Sequence, residues 1–196
     1  MKDMMKMVIV LTVLASFSGG LLAAIRNNTQ EKIELQQLNF VKGPAIKIIM
    51  EGASNDPITD RFKLQIGETE KSFFVGKFDG APKTVALEDF GKGYGGDVGV
   101  MVGINVDDET IKGVWVTTHA ETPGMGARAK DDPTFVSQFN GMSIAEPFKV
   151  TKDGGSINAI GGATITSRAV SYATTQAAKV FKENKDKIVE GMQAFK

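Results

Sequence analysis

Residues 98–106, Val98-Gly99-Val100-Met101-Val102-Gly103-Ile104-Asn105-Val106, carry the reading of the fold. Successive side chains of an extended chain point to opposite faces, so Val98, Val100, Val102, Ile104 and Val106 share one side. Gly99, Gly103 and Asn105 are among those on the other. Asp107-Asp108-Glu109-Thr110 follows with turn chemistry, and Ile111 to His119 returns as a β-rich run. Together these segments predict an antiparallel hairpin. Working outward toward the amino terminus, Lys71 to Phe78 predicts a further strand. Phe62, Leu64 and Ile66 alternate with polar residues, as a half-buried strand would. On the other side of the hairpin, Asp132-Pro133 with Phe135 and Phe139 predicts a short helix, capped by Asp132 and ended before Gly141. Ser167 to about Glu190 is Ala-rich and free of proline. Its Val170, Ala173, Ala177, Val180, Phe181 and Ile188 fit one helical stripe. Strands with few helices, without regular βαβ alternation, place the domain in the α+β class.

The amino terminus reads differently. Residues 7–25, MVIVLTVLASFSGGLLAAI, contain no charge. A helix of that length, at about 1.5 Å per residue, matches the ~30 Å hydrocarbon core of a bilayer. Lys2 and Lys6 precede it and Arg26 follows, which leans toward a cytoplasmic amino terminus and an extracytoplasmic carboxyl domain. A cleaved leader is the alternative, with Leu22-Ala23-Ala24 as its cleavage region, but the apolar run is long for one. Residues 26–43 are polar with scattered apolar positions, a juxtamembrane helix or linker, and the exported domain is expected from Pro44 onward.

Composition narrows the chemistry. The 196 residues carry 23 basic and 23 acidic side chains, so a polyanion-binding surface is not indicated and nucleic acid is not an expected partner. There is no cysteine, which excludes disulfides, zinc ribbons and cysteine-ligated iron–sulfur clusters within the chain. His119 is the only histidine, so a multi-histidine zinc site is excluded too. Redox chemistry here would have to come from an organic cofactor.

Two motifs carry candidate chemistry. Gly161-Gly162-Ala163-Thr164-Ile165-Thr166-Ser167 is a glycine-rich turn running into the last helix, where unpaired N–H groups and the helix dipole can hold a phosphate. Taken alone, it reads first as an ordinary tight turn and helix start, since Gly-Gly before a helix is common. His119-Ala120-Glu121-Thr122-Pro123-Gly124-Met125-Gly126 follows a strand directly. Pro123-Gly124 forces a turn there, and Gly126 permits close approach of a ligand. Alone, it reads first as a surface loop with a histidine at the strand end. Gly91-Lys92-Gly93-Tyr94-Gly95-Gly96 lacks the strand–helix context of a dinucleotide fingerprint and reads as a loop.

The two motifs together resemble the G subunit of the Rnf complex and its relative, the C subunit of the sodium-pumping NADH:quinone oxidoreductase. The flavin-attachment pattern of that family is Asp, two residues, Ser or Thr, then Gly-Ala-Thr. Asn158-Ala159-Ile160-Gly161-Gly162-Ala163-Thr164 falls in that register, with Asn158 in place of Asp and Gly161 in place of Ser or Thr. Thr118 to Gly126, and Ile165 to Val170 after the attachment motif, also match the Rnf branch. The layout of one hydrophobic segment and one FMN-binding domain does so as well.

The resemblance implies FMN joined through its phosphate to Thr164, placed there once by a separate flavin transferase. It implies that Gly162, Ala163, Ile165 and Thr166 surround the attachment point, with N–H groups near Thr166 and Ser167 holding the phosphate. The flavin ring is then expected against His119, Glu121, Thr122, Gly124 and Met125. No residue is expected to be catalytic in the acid–base sense, and no metal is expected. The implied role is an electron relay inside a membrane-bound, ion-translocating ferredoxin:NAD oxidoreductase, among its other membrane and peripheral subunits. Three other readings use the same sequence. They are an exported assembly subunit with a decayed flavin site, a flavinylated carrier for another extracytoplasmic reductase, and a secreted hydrolase built on His119. The last lacks a Gly-x-Ser-x-Gly elbow.

Overall fold

The computed structural model describes residues 1–195. The chain forms two compact units, one over Met1–Phe40 and a second beginning at Val41, ahead of the Pro44 boundary expected from the sequence. The first unit is essentially one helix, α1 (Lys2–Gln37). Its stretch Lys2–Gln30 is long and apolar enough to cross a membrane, a test that a signal sequence near an amino terminus also passes. Residues 26–37, read as helix or linker, continue this helix, and a π-helical turn, Leu38–Lys42, follows.

The second unit is built on a five-stranded antiparallel sheet in sequential order. Its strands are β1 (Arg61–Ile66), β2 (Thr69–Phe78), β3 (Ala81–Lys92), β4 (Asp97–Asn105) and β5 (Thr110–Thr118). Each strand joins the next by a short connection, the arrangement an antiparallel sheet permits and a parallel one does not. The hairpin of β4 and β5 lies where residues 98–119 predicted it, with Val102 opposite Val114.

β4 is buried on both faces. Val98, Val100, Val102 and Ile104 pack into the main core together with Ala169, Val170, Ala173 and Ala177 of helix α5 (Thr164–Glu183), which lies on β3 and β4. The opposite face receives helix α2 (Gly43–Ile49), a segment the sequence did not reveal as an element. The glycines of the hairpin make room for it: a Cβ at Gly103 would lie 2.3 Å from Ile49 Cγ2. The α5 face is equally tight, since a Cβ at Gly91 would sit 2.0 Å from the Ala169 carbonyl oxygen. Helix α5 and the end of the central strand β3 therefore meet backbone to backbone, at the first residue of the stretch read as a loop.

Several sequence expectations shift. β3 was not anticipated as a strand. Gly91 and Lys92 end it, so only residues 93–96 form a loop. The two-residue alternation of β3 is interrupted by Glu88 and Asp89, which pair with Lys42 at 2.7 Å and Lys71 at 2.6 Å, so charged residues occupy well-covered strand positions. The last helix begins at Thr164, three residues before the expected Ser167, and breaks at Asn184 before α6 (Lys185–Gln193). Two short helices follow the hairpin, α3 (Arg128–Asp131) and α4 (Pro133–Ser137). Asp132 caps the second by accepting from the Thr134 N–H at 3.0 Å, and Gly141 follows in the left-handed region at φ 76°.

Candidate functional site

The two motifs come together at one end of the sheet. β5 ends at Thr118 and its chain turns directly into residues 119–126, while α5 starts at Thr164 from the glycine turn. Between them lies a cavity of about 530 Å³ lined by Glu121, Thr122, Met125 and Gly126 on one side and residues 162–166 on the other. That volume falls within the usual range for small-molecule sites, roughly 300–1,000 Å³.

Glu121 ties the pieces together. The residue is 6% exposed. Oε1 accepts from the Gly95 N–H at 2.8 Å, and Oε2 accepts from the Thr166 hydroxyl. One carboxylate thus joins the loop after β3, the loop after β5 and the first turn of α5. Gly126 completes the fit, because a Cβ there would lie 2.6 Å from Glu121 Oε2 and 2.8 Å from Thr166 Oγ1.

The start of α5 is open for a ligand. Its N-cap, Ala163, supplies no side-chain cap. The first intrahelical bond runs from the Ser167 N–H to the Ala163 carbonyl at 3.0 Å. Among the described residues the unpaired donors are therefore those of Thr164, Ile165 and Thr166, not of Ser167 as the later helix start implied. Ser167 instead secures the turn: its hydroxyl accepts from the Ile160 N–H and donates to the Ala163 carbonyl, both at 3.0 Å. Gly162 holds φ 80°, a conformation that penalises any side chain, which accounts for the glycine of Gly-Ala-Thr.

The two threonines differ sharply. Thr166 is 2% exposed and its hydroxyl is committed to Glu121. Thr164 is half-buried, lines the cavity, and its hydroxyl has no hydrogen-bond partner among the described residues.

Of the other residues singled out from sequence, Gly162, Ala163, Ile165, Thr122 and Met125 line the cavity, the last exposed at 56%. His119 and Gly124 do not line it. His119 Nδ1 accepts from the Glu121 N–H at 3.3 Å, a local turn contact. Asn158 is exposed, and its backbone is bracketed by the Gln138 amide: the Asn158 N–H donates to Oε1 at 2.8 Å, and its carbonyl accepts from Nε2 at 3.2 Å.

Two lining residues were not singled out. Tyr94 sits in the loop set aside as lacking a dinucleotide context, and Lys152 belongs to a 3₁₀ turn, Thr151–Asp153. No local pattern pointed to either, since both reach the cavity through tertiary packing. Asp153 beside Lys152 is engaged by Arg168 of α5 through two bonds of 2.7 Å. That pair holds the Asp153 carboxyl below the usual carboxylate range.

Comparison with known proteins agrees with this layout. Residues 93–179 match the family model described as FMN-binding domain, a span running from the Tyr94 loop through most of α5. The chain is 32% identical over 178 residues to the G subunit of the ion-translocating oxidoreductase complex of Methanosarcina acetivorans, covering 90% of this chain and 93% of that one. It is 31% identical over 199 residues to the G subunit of the same kind of complex from Shewanella oneidensis, covering 94% and 92%. In fold it is similar to NqrC of Shewanella oneidensis, with a TM-score of 0.54 at 24% identity, covering 71% of this chain and 72% of that one. The chain belongs to the family of G subunits of ion-translocating oxidoreductase complexes, the Rnf branch that its motifs resemble.

Proposed function

We propose that this chain is the flavin-bearing relay subunit of such a complex, with FMN esterified through its phosphate to Thr164. The observation that supports this most is the contrast between the two threonines: Thr164 offers a free hydroxyl in the cavity, whereas Thr166 is sealed against Glu121. A modifying transferase can reach the first and not the second. The residues present fit the group. Three unpaired N–H groups, of Thr164, Ile165 and Thr166, face a helix start where a phosphate is favoured by both hydrogen bonding and the helix dipole. Tyr94, Met125 and Ile165 supply an apolar wall suited to an aromatic ring system.

When bound, flavin supplies reversible electron-transfer chemistry. The chain's own part is positional. Thr164 fixes the cofactor permanently, Gly162 sets the turn that presents it, and Glu121 holds both loops at fixed separation. A relay requires that its cofactor never dissociate, and an ester bond meets that need. Residues 7–25 would anchor the subunit, with the domain on the extracytoplasmic side, where the flavin transferase acts. Its partners would be the other membrane and peripheral subunits, in a complex coupling electron flow between ferredoxin and NAD to Na⁺ or H⁺ movement.

The test uses the full chain, exported and co-expressed with an active flavin transferase, then denatured and separated by electrophoresis. A band fluorescent under ultraviolet light in the wild type and Thr166→Ser, but dark in Thr164→Val, is the expected result. A fluorescent Thr164→Val band would overturn the assignment.

A further inference from the structure

The cavity has an imbalance that the attachment site alone does not resolve. Among its described lining residues there is one anion, Glu121, and one cation, Lys152. Glu121 is satisfied by Gly95 and Thr166. Lys152 has no carboxylate or hydrogen-bond acceptor among the described residues, although Asp153 is its sequence neighbour. Asp153 is already committed, because both its oxygens face Arg168, at 2.7 Å each. The turn carrying Lys152 is further shaped by Gly154 at φ 81° and by the pairing of Val150 with Ile157. Arg168 lies one helical turn beyond Thr164, so the clamp fixes the Lys152 turn to the same first turns of α5 that would bear the ester.

We propose that Lys152 is the counter-ion of the cofactor's phosphodiester, and that the Asp153–Arg168 pair is the positioning device that presents it. This rests on the attachment reading above. A phosphate esterified on two sides carries a single negative charge, which one ammonium and the free N–H groups of Thr164, Ile165 and Thr166 match. Without Lys152 that charge would share its cavity with the Glu121 carboxylate and have no cation beside it. Lysine suits the task, since a flexible stem carrying a point charge can follow a phosphate that arrives after folding. Lys152 is exposed, so replacing it leaves the core intact.

The experiment uses the full-length flavinylated protein in detergent, as wild type, Lys152→Gln, Lys152→Arg and Asp153→Asn. Phosphorus NMR reads the diester directly, in native and denatured samples, and flavin fluorescence anisotropy reads the freedom of the ring. In the wild type the native resonance stands apart from the denatured one. Lys152→Gln should move it at least halfway toward the denatured position and lower the anisotropy, Lys152→Arg should keep most of the native shift, and Asp153→Asn should fall between. A merely structural role for Lys152 would not move a phosphorus resonance and be rescued by arginine. An unchanged resonance and anisotropy in Lys152→Gln, with the diester signal present, would overturn the counter-ion role while leaving the ester intact. Absence of any protein-bound diester signal in the wild type would instead overturn the attachment and this proposal with it.

Discussion

Replacing Glu121 by alanine should loosen the whole site, and the size of the effect follows from its two bonds. Thr166 is 2% exposed, so losing the acceptor of its hydroxyl leaves a buried donor. Such a group costs about 1–3 kcal/mol when unsatisfied. The Gly95 N–H lies at an exposed residue and can turn to water, so that bond contributes about 1 kcal/mol. The sum is roughly 2–4 kcal/mol, which for a domain of this size corresponds to a fall in Tm on the order of 4–16 °C. Thr166→Val alone leaves a buried carboxylate oxygen without its donor and should cost about 1.5–3 kcal/mol. In the double variant neither partner is stranded, so its cost should fall short of the sum by about 1–2 kcal/mol. Chemical denaturation of the four proteins, followed by Trp115 fluorescence, gives the cycle. Additive costs, or a Glu121→Ala change below about 0.5 kcal/mol, would refute the idea that this carboxylate joins three segments.

Further outcomes follow from the same geometry. Gly91→Ala places a Cβ 2.0 Å from the Ala169 carbonyl, and backbone cannot swing aside as a side chain can, so a loss of about 1–3 kcal/mol or more is expected in denaturant unfolding. Gly162→Ala meets open space but must hold φ 80°, costing about 1–2 kcal/mol, whereas Gly161→Thr has open space and no left-handed φ and should stay within about 0.5 kcal/mol of wild type. Equal effects at the two glycines would contradict the turn geometry. The Arg168 bond lowers the Asp153 pKa in the fold, so its stabilising effect is complete above the ordinary value of 3.8 and is lost as pH falls through the lower folded value. Acid unfolding profiles of wild type and Asp153→Asn should therefore converge only below that value, and convergence at neutral pH would be contrary.

Much of this fold is legible in local periodicity. Residues 98–119 predict their hairpin because β4 and β5 carry a β-branched alternation that only Lys112 interrupts with a charge between Val98 and Asn105 and between Thr110 and Thr118. β3 escapes the same reading because Glu88 and Asp89 interrupt it, and their charges are matched by Lys42 and Lys71, residues distant in sequence. α2 escapes because a helix of seven residues has little periodicity to display, and its place depends on Gly103 leaving room for Ile49. The candidate site divides along the same line. The residues on the two motif loops are readable as a resemblance, and most of them line one cavity. Tyr94 and Lys152 reach that cavity only once β3 and the Arg168 clamp are in place. Glu121, read as a ligand contact, has both its oxygens engaged by protein donors, a role no spacing could reveal.

The central claim, that Thr164 and not its buried neighbour carries the flavin, is tested most directly by locating the modification. The protein would be isolated from cells containing an active flavin transferase and cut with trypsin, and the peptide from Asp153 to Arg168 fragmented in a mass spectrometer. The added flavin phosphate should stay with fragments containing Thr164 and be absent from those that begin at Ile165. Modification on Thr166 or Ser167, or an unmodified peptide in cells where another substrate of the transferase is labelled, would contradict the claim.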